Sequence, residues 1–270
     1  MKEELIVLGT GNALAKECYN TCFALRNDRG VLLVDTGGGN GILRQLDKAG
    51  IALSEIHHII LTHQHTDHLL GIFWLIRLMN QYAWNGSWSG ECRIYCHQEL
   101  ADILRKSVAL LLEEKLRQGM DKFIHIVPVE DGETVDICGR EVTFFDLGST
   151  KVKQFGFSTV LSDGQKLTCL GDEPFQPRNA LRLQNCGWLL CEAFCLYSEA
   201  VRFKPYEKHH STIREACQVA QQYQIPHLVL WHTEETHGSQ RKALYTAEGR
   251  EFYSGDLHVP DDLEVLRLCE

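Results

Sequence analysis

The stretch Thr62-His63-Gln64-His65-Thr66-Asp67-His68 brings three imidazoles and a carboxylate together between two apolar runs, Ile59-Ile60-Leu61 and Leu69-Leu70-Gly71-Ile72-Phe73-Trp74. Imidazole is a borderline ligand suited to zinc, iron and manganese, and a carboxylate adds charge and an oxygen donor. A histidine-rich surface loop needs neither this alternation nor apolar flanks on both sides, so the stretch reads as a transition-metal loop. Other apolar segments end in groups of the same kind: Leu170-Gly171-Asp172, Trp188-Leu189-Leu190-Cys191-Glu192 and Leu230-Trp231-His232. Active-site groups of α/β sheets gather at strand ends for that geometric reason.

The elements that must position these groups follow from periodicity. Residues 5–8 form an apolar strand closed by the glycine turn Gly9-Thr10-Gly11; no helix start clearly follows it, so its value as a phosphate loop is weak. Residues 21–25 and 31–34 read as a hairpin ending in Asp35-Thr36-Gly37, whose Asp caps backbone amides. Residues 41–49 have helical spacing and 56–61 form a buried strand into the histidine loop, giving a strand–helix–strand unit. A long apolar helix is expected over 69–82, a strand over 93–96 and an amphipathic helix over 98–116. From residue 123 the pattern changes to short strands over 123–127, 134–137, 141–145, 155–161 and 166–170. His210-Ser211-Thr212 opens a helix over 213–223, capped by Ser211 or Thr212 with Glu215 in its first turn. A last strand covers 227–231, and the chain divides into two strand-and-helix halves near residue 150.

The 270 residues are 44% hydrophobic, enough for a sizeable core, and the formal net charge of −9 disfavours broad nucleic-acid binding. No apolar run reaches the roughly 18 residues of a membrane span, and no secretory leader is indicated. The eleven cysteines are scattered through expected core elements, which fits reduced thiols and a cytoplasmic protein. Cys186, Cys191 and Cys195 lack the tight pairs of a zinc ribbon and read as core.

Taken in chain order, Leu8-Gly9-Thr10-Gly11, Asp35-Thr36-Gly37, the HxHxDH loop, Leu170-Gly171-Asp172, His210-Ser211-Thr212 and Leu230-Trp231-His232 resemble the metallo-β-lactamase superfamily. Within it the chain is similar to ribonuclease Z and related phosphodiesterases. The His-Ser-Thr element is typical of that branch and not of β-lactamases, glyoxalase II-type thioesterases or flavodiiron proteins. Phe155-Gly156-Phe157 also resembles the branch's aromatic-Gly-aromatic strand. The resemblance implies an α/β fold: a four-layer αββα sandwich of two mixed β-sheets flanked by helices, in one domain over residues 1–270.

It also implies a two-metal hydrolase. His63 and His65 would hold the first metal, Asp67, His68 and His232 the second, and Asp172 would bridge them. The ions would be divalent, zinc first, with manganese or iron as alternatives. They would clamp the phosphate and lower the pKa of a bridging water to make the hydroxide that attacks phosphorus. Asp67 would orient that water, Asp35 would order the metal loops without being a ligand, and His210 would assist the leaving oxygen. Glu207, three residues before His210, would orient that imidazole.

Two departures matter. The family supplies a further histidine to the first metal just before the Phe-Gly-Phe strand, yet no histidine occurs between Ile126 and Lys208. The first site is therefore expected to be weak or empty. Ribonuclease Z also grips tRNA with a protruding basic arm, inserted in bacterial forms where this chain has only Ser162-Asp163-Gly164-Gln165. Together with the acidic charge, that points to a small or flexible phosphodiester, RNA remaining possible. Lys151 and Lys153 are candidate phosphate contacts. The competing readings are a thioester, lactone or other ester hydrolase on the same fold, and a degenerate ligand-binding member. Ile72-Phe73-Trp74-Leu75-Ile76, with Trp84 and Trp88, would supply a homodimer surface, or simply core.

Overall fold

The computed structural model describes residues 2–269. The chain first lays down β1 (Glu3–Gly9), β2 (Cys22–Asn27), β3 (Gly30–Val34), β4 (Ile56–Ile60), β5 (Cys92–His97) and β6 (Ile124–Val129). It then builds a second sheet from β7 (Thr134–Ile137), β8 (Arg140–Asp146), β9 (Phe155–Val160), β10 (Lys166–Cys169), β11 (Cys186–Glu192), β12 (His227–Trp231) and β13 (Asp256–His258). A final strand, β14 (Val265–Cys269), returns to the first sheet and pairs antiparallel with β1. The sheet orders are β14-β1-β2-β3-β4-β5-β6 and β13-β12-β11-β10-β9-β8-β7. Both are mixed, with parallel pairing over β3–β6 and over β10–β13.

The helices that cover these sheets are α1 (Gly41–Lys48), α2 (Thr66–Leu69), α3 (Ile72–Asn85), α4 (Gln98–Leu111), α5 (Glu114–Arg117), α6 (Ala180–Leu183), α7 (Ala200–Phe203), α8 (Ile213–Gln222) and α9 (Arg241–Gly249). Three apolar layers hold the sandwich together. Ile6, Leu33 and Ile59 pack with Ile72, Ile76 and Leu104 on the outside of the first sheet. Leu5, Phe23 and Val34 meet Phe157, Leu190 and Trp231 between the sheets. Leu189, Leu228 and Leu230 pack with Ile213, Cys217 and Tyr245 on the outside of the second. Strands buried on both faces read as near-continuous apolar runs, which is why β3 and β12 were legible. Thr212 and Glu215 form the expected capping box of α8.

The structure departs from the sequence expectations in four places. The halves do not change near residue 150: β7 and β8 already belong to the second sheet, and β14 crosses back to the first. Residues beyond His232 carry α9, β13 and β14, elements too short to give a clear periodicity in the sequence. The helix expected over 98–116 ends at Leu111, and α5 follows after a break. The helix expected over 69–82 is also two pieces, α2 and α3, interrupted at Leu70-Gly71. The reason is close packing: a Cβ built on Gly71 would lie 2.0 Å from the Thr36 carbonyl oxygen. The Gly71 amide instead donates to Gly37 O at 2.9 Å, tying the helix start to the loop after β3.

The loop after β1 is held from the far end of the chain. Asp262 Oδ1 accepts from Thr10 N at 3.0 Å and Asp262 Oδ2 from Tyr19 N at 2.6 Å. The Tyr19 hydroxyl in turn donates to Thr36 O at 2.9 Å. Cys186, Cys191 and Cys195 are buried thiols, as expected for core residues. No helix among the described residues is long and apolar enough to cross a membrane.

Replacing Gly71 by Ala forces the Thr36 loop and the α2–α3 junction apart. We expect a loss of about 1–3 kcal/mol, read as a lower urea midpoint; an unchanged midpoint would contradict the close approach.

Candidate metal centre

All six expected ligands converge at the strand ends. The histidine loop follows β4, and its backbone is fixed by Asp35, the residue after β3. Asp35 Oδ1 accepts from Thr62 N at 2.8 Å, and Asp35 Oδ2 accepts from Thr62 Oγ1 at 2.7 Å. Oδ2 also faces His68 Nδ1 at 2.8 Å. Thr62 Oγ1, its proton committed to Asp35, lies 2.9 Å from His63 Nδ1. This network assigns the protons: His63 and His68 donate through Nδ1 and turn Nε2 toward the site. Asp35 and His232 both hold positive φ, at 55° and 57°, an uncommon backbone state that clusters at functional sites.

The second ligand set is close to a coordination shell. Asp67 Oδ2 lies 3.3 Å from His232 Nε2 and 3.4 Å from His68 Nε2. Asp172 Oδ2 lies 3.6 Å from His232 Nε2 and 3.7 Å from His68 Nε2. Ligands about 2.0 Å from a tetrahedral zinc are about 3.3 Å apart, so these spacings fit a divalent cation. The fit is sharpened by His68 Nε2, which is buried and has no hydrogen-bond partner. In the first set, His63 Nε2 lies 2.9 Å from His65 Nδ1 and 3.6 Å from Asp172 Oδ1. Those three donors can hold a cation too, but with one fewer protein ligand than the second set.

The charges agree with this arrangement. Burial lowers the basicity of His63 and, less strongly, His65, leaving neutral rings with lone pairs to offer. Burial also opposes charge on Asp67, but the hydrogen bond from His232 and the adjacent His68 ring outweigh it and hold the carboxyl below its usual range. Asp172 is likewise depressed against the pull of burial, by the three histidines that face it, His63, His68 and His232. For His68 burial opposes protonation, yet Asp35 and Asp67 raise its pKa. A cation entering between Asp67, Asp172 and His232 would displace that Nε2 proton, so metal uptake would release acid.

His210 stands at the rim, its ring stacked on Phe194 with centroids 5.0 Å apart and 5.1 Å from the His232 ring. The acid beside it is Glu192, not Glu207. Glu192 Oε2 lies 3.6 Å from His210 Nδ1, and the carboxylate is fixed by Ser211 N at 2.6 Å and Phe194 N at 3.1 Å. Glu207 is 69% exposed and pairs with Lys204 at 3.1 Å. Proximity in sequence misled because residues 206–208 form a 3-10 turn whose side chains face solvent, while β11 ends directly behind the imidazole. The available signal was the acid closing an apolar strand.

Sequence reasoning also passed over Gln154, fully buried at the entry to β9. Its amide nitrogen donates to Asp172 Oδ1, and its Oε1 accepts from Asp172 N at 3.2 Å. Two cavities meet at His210. One of about 450 Å³ contains His65, Asp67, Lys151, Asp172 and His232. The other, about 470 Å³, is lined by Glu173, Phe175, Tyr206 and His209. Burial raises the pKa of Glu173, whose Oε2 is unpartnered.

Comparison with known proteins agrees with this geometry. The family described as Anti-Pycsar protein Apyc1 matches residues 3–251. The ribonuclease Z of Thermococcus sibiricus is 24% identical, covering 99% of this chain and 97% of its own. That of Thermobifida fusca is 25% identical, covering 96% and 93%. The metallo-β-lactamase fold protein YhfI from Bacillus subtilis superposes with a TM-score of 0.79 at 16% identity, covering 99% of this chain and 100% of its own. The short form of human tRNase Z gives 0.73 at 21%, covering 97% and 98%. The fold is the metallo-β-lactamase sandwich that the motif order implied.

Asp35 contacts no ligand-facing nitrogen, yet it sets two imidazoles. Asp35→Asn should weaken zinc binding about 10–100-fold in a chelator competition; unchanged affinity would show that the loop orders itself without this carboxylate.

Proposed function

This chain belongs to the family described as Anti-Pycsar protein Apyc1, within the ribonuclease Z-like branch of the metallo-β-lactamase superfamily, and from there we propose a metal-dependent phosphodiesterase acting on small phosphodiesters. The observation that carries the reading is the grouping of Asp67, Asp172 and His232 with a carboxylate-backed His210 around one cavity. Divalent cations in such a site supply Lewis acidity, neutralising the phosphoryl oxygens and making a water more acidic. Zinc is the first choice for these nitrogen and carboxylate donors. Asp67, His68, His232 and Asp172 would hold the principal cation, and His63, His65 and Asp172 form the weaker set beside it.

The chain's own groups then divide the proton work. Asp67 accepts a hydrogen bond from the attacking water and fixes its direction toward phosphorus. As the new P–O bond forms and the ester P–O bond breaks, His210 gives its proton to the departing oxygen. Glu192 positions that ring from behind, 3.6 Å from Nδ1, in the role the sequence alone would have given Glu207. A water-orienting acid and a leaving-group acid on one site are superfluous in a binding module. The His-Ser-Thr element weighs against a thioester or lactone hydrolase.

Substrate size follows from what surrounds the centre. The β9–β10 connection is short, residues 161–165, closed by Leu161 N to Gln165 O at 2.8 Å, which supports a small substrate over a folded RNA. The adjoining cavity lined by Phe175 and Tyr206 suits the organic part of a small ester. For the homodimer reading, Ile72, Phe73, Leu75, Ile76 and Trp88 are core, which leaves Trp74, Tyr82 and Trp84 exposed on α3. Light scattering of the purified chain decides it: a one-chain mass removes that reading.

Protein stripped of metal and reloaded with zinc or manganese should hydrolyse bis(p-nitrophenyl) phosphate in preference to a thioester or lactone. His210→Ala should lower kcat about 10²–10⁴-fold, Glu192→Gln about tenfold or more, and Glu207→Gln should leave it unchanged. Absence of phosphodiester turnover with either metal would sink the reading, and an effect at Glu207 with none at Glu192 would reverse the positioning assignment.

A further inference from the structure

The first ligand set lacks an imidazole, and the space beside it contains a cation belonging to the chain. Lys151 lines the cavity that holds His65, Asp67 and Asp172. Its ammonium nitrogen is buried and has no hydrogen-bond partner, and among the described residues no carboxylate forms an ion pair with it. Lys153, two residues on, behaves differently: it reaches outward to Glu99 at 3.9 Å. Exposed-strand solvation therefore accounts for Lys153 and not for Lys151.

Lys151 is half-buried as a residue, but its covered ammonium has donors that nothing in the protein accepts, and a ligand in the cavity can complete them. The ligand must be anionic and rich in acceptors. The same charge bears on the metal count, because Lys151 lines the one cavity that His65 and Asp172 also line. A divalent ion among His63, His65 and Asp172 would sit beside it and be repelled. Gln154 adds to the effect, since its amide occupies Asp172 Oδ1, the oxygen nearest His63. On the other side, Asp172 Oδ2 faces His68 and His232 and remains with the second ligand set.

We propose that Lys151 binds a non-bridging phosphoryl oxygen on the His63–His65 side of the centre, so that the site works with one tightly held divalent cation and one ammonium. The cation belongs to Asp67, His68, His232 and Asp172. The ligand chemistry rests on the phosphodiester reading above; the cation count does not. Lysine here serves as a fixed point charge, which suits a phosphoryl oxygen and needs no third imidazole.

The test uses the full chain, zinc and inorganic phosphate. Native mass spectrometry and calorimetry should find one tight zinc per chain in the wild type. In Lys151→Met a second zinc should bind more tightly, while the phosphate Kd of the zinc-loaded protein rises about tenfold or more. Lys151→Arg should keep the single zinc and restore part of the phosphate affinity. Thermal stability separates a structural role: losing a structural lysine lowers Tm, whereas removing an unpaired buried charge should hold or raise it. Two equally tight zinc ions in the wild type, or an unchanged phosphate Kd in Lys151→Met, would overturn the proposal. If the wild type binds no phosphate at all, the phosphodiester reading falls, and the zinc counts of the two proteins still decide whether the ammonium excludes a second ion.

Discussion

The Asp35 carboxylate is the constraint on which the centre depends. It sits at the end of β3 with a positive φ and joins Thr62 N, Thr62 Oγ1 and His68 Nδ1. Those bonds tie three consecutive pieces of chain to one point: the end of β3, the exit of β4 and the first turn of α2. Without them the histidine loop would be a polar segment with four titratable groups facing one another. With them, two imidazoles have fixed tautomers and face inward before any ligand arrives. A buried carboxylate that accepts three hydrogen bonds is a favourable arrangement in low dielectric, whereas the same carboxylate left unpaired would be costly.

The sequence was informative where one local pattern had one structural outcome. β3 and β12 are buried on both faces, so their composition alone marks them, and each delivers a site residue at its end. The HxHxDH spacing depends on a single loop and helix start, and it could be read without knowing the rest of the fold. Glu192 shows the limit. Its role depends on β11 ending behind a histidine 18 residues later in the chain, a relation that no spacing rule expresses. Gln154 is hidden for a similar reason: an uncharged amide before a strand gives no chemical signal until Asp172 is seen against it.

Errors in the element boundaries have physical causes as well. The periodicity of residues 69–82 continues across Leu70-Gly71 because both helical pieces bury the same kind of face. The break is imposed by a backbone approach to Thr36 that the apolar pattern does not encode. β13 and β14 are three and five residues long and sit at sheet edges. Edge strands alternate weakly and carry charge, so propensity alone rarely marks them.

The pairing of β14 with β1 also sets an order of events. Leu5 lies opposite Leu266, and Asp262 holds both Thr10 and Tyr19, the latter reaching the Thr36 loop beside the centre. A ribosome releases these partners more than two hundred residues apart. The first strand must wait, one edge unpaired, while more than two hundred residues follow, and pairing across such a separation is slow. An exposed edge of that kind invites association with other chains. Maturation of the metal-binding loops is thereby coupled to a strand made long after them, and a nascent chain lacking β14 would have ligands before it had a site.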